Sequence, residues 1–173
     1  GMIQPGAEAA AKETRSGRVG VIGTLATIAS DSYTRALKTM DRRMAVYSQA
    51  CPLFVPLAEE GWSDHPVSQM VADEYLHDFH QRDIDTLILG CTHYPILRSV
   101  IQRSVGSQVR LIDSGEAAAV EVERELRDLD LLNPLFDQPN YEFFVSDVPQ
   151  KFKQLGEIFL GKPDLRVTRV HIG

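Results

Sequence analysis

The residues best suited to chemistry are Cys91 and His93, in the run LILGCTHYP from Leu87 to Pro95. Cys91 directly follows Gly90, at what reads as the turn from a strand into a helix. Backbone N–H groups at a helix start carry partial positive charge, which favours a thiolate over a thiol there. His93, two residues on, can hold a proton near neutral pH. A thiol beside an imidazole is the smallest set able to take or give a proton. Three uses follow: nucleophile, proton-transfer base or metal ligand. Metal is the weakest, because the pair offers two ligands and the sequence has no second cluster. The plain alternative, a buried cysteine beside a hydrogen-bonded histidine, stands beside all three, since free cysteine is among the most buried residue types.

The elements that must position this pair alternate between strand and helix. An Ala-rich stretch, Ala7 to Lys12, reads as a short helix. Arg18 to Thr24 is apolar and β-branched, a buried strand, and Ser30 to Met40 a helix. Leu53 to Val55, bracketed by Pro52 and Pro56, is the second apolar run and reads as the second strand. A helix opens at Pro66 with Val67, Met70, Val71, Tyr75, Leu76 and Phe79 on one face. Thr86 to Leu89 is the third strand; Pro95 opens a helix with Ile96, Leu97, Val100 and Ile101 inward. A fourth strand at Val109 to Ile112 and a helix at Glu116 to Leu129 follow. Beyond a linker-like stretch, Asn133 to Asn140, come strand Phe143 to Val145, helix Pro149 to Leu160 and strand Val167 to Val170. Such alternation predicts an α/β fold with parallel strands and right-handed crossovers.

Open parallel sheets bind ligands beyond the carboxyl ends of their strands. Those ends deliver Gly23-Thr24 with Thr27, then Glu59-Glu60-Gly61, then Gly90-Cys91-Thr92-His93, then Asp113-Ser114-Gly115. Thr24 and Thr27 could line a pocket or simply cap a helix. Asp113-Ser114 reads as a helix cap, and Cys51, among apolar neighbours, as packing. His65, His77, His80 and His171 have no partner in the pattern and read as surface or capping residues.

The 173 residues are 43% apolar, enough for a buried core and the length of one domain or one and a piece. With 18 Lys+Arg against 24 Asp+Glu the net charge is −6, which repels phosphate backbones and argues against a nucleic-acid partner. Two cysteines make no disulfide framework and suit a reducing compartment. No apolar run approaches the roughly 18 residues of a membrane span, and nothing near Met2 reads as a signal peptide. A cytoplasmic location away from membranes is expected.

Residues 87 to 95 resemble the second-cysteine signature of glutamate racemases. GVIGTLATIASDSY (Gly20 to Tyr33), ACPLFVPLAEEG (Ala50 to Gly61) and LIDSGEAAA (Leu111 to Ala119) resemble three further segments of that family, in the right order. The resemblance implies a parallel-sheet, three-layer lobe of the aspartate/glutamate racemase type. It implies interconversion of L- and D-glutamate for peptidoglycan synthesis, without pyridoxal phosphate, metal or other cofactor. In that chemistry two cysteines face opposite sides of the α-carbon, one removing a proton and the other delivering one. By the resemblance Cys91 is the base towards L-glutamate, His93 assists its proton state, and Glu59 orients His93 or tunes the charge. Thr92, His93, Thr24 and Thr27 are implied substrate contacts.

The family's earlier DSG-type and ACNT-type segments, the latter with the first cysteine, do not occur here. The resemblance therefore covers a C-terminal portion of a racemase. It implies an N-terminal helix or linker over residues 1–17, the second lobe over 18–118, and a segment over 119–173 that returns to the missing N-terminal lobe. The isolated chain is expected to be inactive, with a homo-oligomer as one way to cover the last strands. The alternative is a non-catalytic interaction or regulatory module; a weaker one is a cysteine hydrolase.

Overall fold

In the computed structural model residues 1–133 and 140–171 are described. Contacts divide the chain into two units, Gly1–Leu132 and Asn133–Gly173. Most of the linker-like stretch, residues 134–139, lies outside the described residues.

The first unit runs α1 (Ile3–Glu13), β1 (Arg18–Gly23), α2 (Leu25–Ala29), α3 (Ser32–Met40), β2 (Ala45–Ala50), α4 (Phe54–Glu59), α5 (Pro66–Leu76), β3 (Thr86–Leu89), α6 (Arg98–Val105), β4 (Arg110–Asp113) and α7 (Ser114–Asp128). The four strands form one parallel sheet in the order β2-β1-β3-β4. Successive side chains on a strand point to opposite faces, and the core divides accordingly. Val19, Val21, Ile88 and Ile112 pack on one face with Ala7, Ala10, Tyr33 and Leu37 of α1 and α3. Ile22, Leu87, Leu89 and Leu111 pack on the other with Phe54, Leu76, Leu97 and Ile101. This is the three-layer parallel lobe that the sequence predicts.

The central strands β1 and β3 are buried on both faces, so they read as continuous apolar runs. The second strand is not Leu53 to Val55. Those residues lead into α4, where Phe54, Leu57 and Ala58 share a buried face. Pro56 sits in the first turn, where an N–H would have no intrahelical acceptor. The strand is instead Ala45–Ala50, a half-buried edge strand without an apolar run. The helix expected over Ser30 to Met40 is two: Asp31, with φ of 52°, separates α2 from α3.

The inward face expected from Pro66 onward is met at Val71, Tyr75, Leu76 and Phe79, which pack in the core, and differs at its start. Val67 and Met70 are exposed, whereas Ser68, Ala72 and Leu76 are buried. Small side chains let α5 lie against α6, and the Ser68 hydroxyl is satisfied by the Trp62 carbonyl at 2.6 Å. The α5 N-terminus is capped by His65, whose Nδ1 accepts from the Val67 N–H, with the Trp62 ring stacked on its imidazole. Pro95 lies in a 3-10 turn, Tyr94–Leu97, ahead of α6.

Residues 1–17 are packed into this unit, with α1 lying against α3 and α7. Asp85 fastens the connection to β1. Its carboxylate accepts from the Thr14 hydroxyl at 2.6 Å and from the Arg15 and Ser16 N–H groups at 2.8 and 2.6 Å.

The second unit carries β5 (Phe143–Val145), α8 (Pro149–Leu160) and β6 (Val167–Arg169). Its two strands pair in parallel, Phe143 opposite Val167. Leu165 is buried, and the Phe143 and Phe152 rings lie 6.2 Å apart.

Candidate active site

In the order β2-β1-β3-β4, the chain leaves β1 towards one edge and returns through β3 towards the other. The carboxyl ends of β1 and β3 therefore flank the switch point, where open parallel sheets hold ligands. The sequence places its candidate groups at these two ends.

The β1 end carries Thr24 and Thr27. Thr24 caps α2, its hydroxyl accepting from the Thr27 N–H at 3.2 Å, and the two hydroxyl oxygens are 3.0 Å apart. The capping role is thus occupied, and both side chains remain half-buried.

The β3 end carries Gly90, Cys91, Thr92 and His93. The Gly90 N–H donates to the Ile22 carbonyl at 2.8 Å, extending the β1–β3 pairing by one bond. A Cβ at residue 90 would stand 2.7 Å from that carbonyl oxygen and 3.0 Å from the Tyr33 ring, so only glycine fits. The chain turns at once. Cys91 Sγ lies half-buried, 3.9 Å from His93 Nδ1, within sulfur hydrogen-bond reach. The opposite ring nitrogen, Nε2, is 3.5 Å from Glu59 Oε1. A neutral imidazole with its Nε2–H towards Glu59 presents Nδ1 to the thiol as an acceptor.

Glu59 arrives differently from expectation. It is the last residue of α4, not the residue beyond a strand at Leu53 to Val55. Thr92 is exposed in the same turn as Cys91. Tyr94 anchors that turn. It is fully buried, stacks edge-on against Phe54 with centroids 5.2 Å apart, and donates its hydroxyl to the Cys51 carbonyl at 2.9 Å.

Burial pushes the Cys91 thiol above its ordinary value, opposed by the N–H groups of His93 and Tyr94 directed at the sulfur. Burial prevails, so the free site holds a thiol rather than the thiolate that a helix start alone would favour. His93 Nδ1 lies within reach of that thiol. Cys51 is fully buried and its thiol is pushed far up by desolvation, which fits packing. Among the described residues no group of three or more His, Cys, Asp or Glu could hold a metal ion.

Asp113 caps α7, accepting from the Gly115 and Glu116 N–H groups at 2.7 and 3.3 Å. Ser114 instead turns inward, its hydroxyl 2.9 Å from that of Tyr33. This contact spans 81 residues of sequence and has no local signature. No described helix is long and apolar enough to cross a membrane.

A model of the Asp/Glu/hydantoin racemase family matches residues 1–122. The chain is 51% identical to the glutamate racemase of Geobacter metallireducens over 161 residues, covering 93% of this chain and 60% of that protein. It is 48% identical to that of Chlorobaculum tepidum over 170 residues, 97% of this chain and 62% of the other. A glutamate racemase from Bacillus anthracis superposes with a TM-score of 0.90 at 36% identity, over 100% of this chain and 64% of that one. A glutamate racemase from Francisella tularensis, solved in complex with D-glutamate, gives 0.87 at 37% identity, over 98% and 62%. The chain thus spans about three fifths of the length of the curated relatives it matches.

Proposed function

The chain belongs to the Asp/Glu/hydantoin racemase family, and from that premise we propose that it carries one thiol of a cofactor-independent glutamate racemase supplying D-glutamate for peptidoglycan. The observation that carries the reading is the contact series Cys91 Sγ, His93 Nδ1, His93 Nε2, Glu59 Oε1 beside the β1–β3 switch point.

In the proposed reaction His93 Nδ1 takes the thiol proton, and Glu59 stabilises the resulting imidazolium. The Cys91 thiolate then takes the α-hydrogen of L-glutamate as a proton, and the bonding pair stays on the α-carbon. A thiol on the opposite face returns a proton to that carbon, which inverts it. In the D-to-L direction Cys91 is the donor. One group cannot reach both faces of a held substrate, so two are required. Cys51 is sealed in the core, so the opposite thiol comes from the two fifths of the relatives that this chain does not span. Thr24, Thr27, Thr92 and the turn N–H groups suit the substrate's carboxylates.

The test is exchange of the α-hydrogen of L- and D-glutamate in deuterated water, followed by NMR together with optical inversion. The chain alone is expected to give no inversion. Mixed or co-expressed with the unmatched segment of a relative, it is expected to turn over, and Cys91→Ser to abolish this. Turnover that survives Cys91→Ser overturns the reading. So does failure of a correctly assembled pair, which would leave a non-catalytic module.

A further inference from the structure

We infer that the buried Tyr33–Ser114 hydroxyl pair positions the turn that carries Cys91; the inference rests on the role proposed for that thiol. The two oxygens are 2.9 Å apart and both residues are buried. The Ser114 hydroxyl also reaches the Leu89 carbonyl at 3.4 Å, the last carbonyl of β3. The hydrogens then run one way: Tyr33 donates to Ser114, and Ser114 to Leu89.

The packing around the pair is close on two sides. A Cβ at Gly6 of α1 would stand 2.5 Å from Ser114 Oγ and 3.4 Å from the Tyr33 ring. A Cβ at Gly90 would stand 3.0 Å from the same ring. Elements α1, α3, the end of β3 and the start of α7 therefore meet at two hydroxyls. The Leu89–Gly90 peptide is held through its carbonyl by Ser114, while the Tyr33 ring lies against Gly90. From that fixed peptide the chain turns so that the His93 and Tyr94 N–H groups aim at Cys91 Sγ.

The titratable groups around this turn are Cys91, His93, Glu59, Tyr94, Tyr33 and Asp113. Burial raises the Tyr33 phenol against the opposing Ser114 hydrogen bond, and charge on Cys91 and Asp113 acts in the same sense as burial. The pair acts on the thiol by holding the turn's shape. Tyr33 and Ser114 are positioning residues in this account.

The test reads the thiol of the whole chain directly, as the pH profile of iodoacetamide alkylation at Cys91 located by mass spectrometry. Tyr33→Phe keeps the ring and removes one hydroxyl; Ser114→Ala removes the other. Each is expected to slow alkylation at pH 8 by about threefold to tenfold and to move the midpoint upward, because N–H donation to the thiolate is lost. The double variant is expected to add little to the larger single effect. Ile112→Val, in the same core, is expected to lower the melting temperature without moving the profile. A wild-type profile in either variant that remains folded by circular dichroism overturns the inference; if Ser114→Ala does not fold, Tyr33→Phe decides. No substrate enters the assay, so this failure is distinct from absence of glutamate turnover.

Discussion

The Tyr94 hydroxyl donates to the Cys51 carbonyl at 2.9 Å, which ties the turn after β3 to the segment after β2. His93 belongs to the first and Glu59 to the second, so this bond keeps the imidazole beside its carboxylate. Tyr94→Phe retains the edge-on contact with Phe54 and leaves the Cys51 carbonyl with the Phe54 N–H as its donor. The expected cost is about 0.5–1.5 kcal/mol. It should be read as a lower urea midpoint at unchanged slope.

The two thiols should separate cleanly by reagent and by pH. Both are raised by burial, Cys51 much further than Cys91. An acid held protonated in the fold contributes stability in full below its unfolded value of about 8.5, and loses it as pH climbs towards the folded value. Stability is therefore expected to fall from about pH 8.5 upward, and Cys51→Ala to flatten that decline. Alkylation of the folded chain should mark Cys91 and spare Cys51. Equal labelling would contradict the burial of Cys51.

At the acid end the controlling group is Asp85. Burial raises it, but hydrogen bonds from the Thr14 hydroxyl and the Ser16 and Arg15 N–H groups outweigh this and hold it at about 2. A carboxylate depressed in the fold contributes stability above its unfolded value of about 3.9 and loses it as pH falls through the folded value. Asp85→Asn should lower the urea midpoint at pH 7 and change it progressively less as pH approaches 2. A constant difference across that range would rule out the carboxylate charge as the cause.

Gly90→Ala would drive a methyl towards a backbone oxygen that cannot swing aside. The expected cost is about 1–3 kcal/mol, with β1 and β3 parting at their carboxyl ends. Faster amide exchange at residue 90 would report it.

The central architecture was legible because β1 and β3 are covered on both faces and so carry unbroken apolar runs. The edge was not. Ala45–Ala50 is half-buried and mixes Ser and Gln with Val and Tyr, while Phe54-Val55-Pro56-Leu57 looks more like a strand than the strand does. Hydrophobicity likewise misread the start of α5, where close packing against α6 selects Ser68 and Ala72 over Val67 and Met70. At the site, Cys91 and His93 are neighbours in sequence and could be paired by inspection. Glu59 was reached from a strand end that proves to be a helix end, and its place beside His93 came through a family resemblance; the Tyr33–Ser114 contact belongs to the tertiary fold alone.

In the assembled enzyme the proton route predicts a graded response. Loss of the imidazole, His93→Asn, should cost about a hundredfold or more in kcat, the ordinary worth of a positioned acid–base group. On the proposed route Glu59 acts through His93, so Glu59→Gln should cost less, mainly by moving the pH profile. A larger loss for Glu59→Gln than for His93→Asn would place the carboxylate against substrate instead.

The sole tryptophan of the chain lies on the His65 ring, centroids 4.5 Å apart, at the corner leading into α5. Its ultraviolet emission is consequently a local witness. The segment after Leu132 contains no indole and would melt in silence, so denaturation followed by fluorescence and by ellipticity need not coincide.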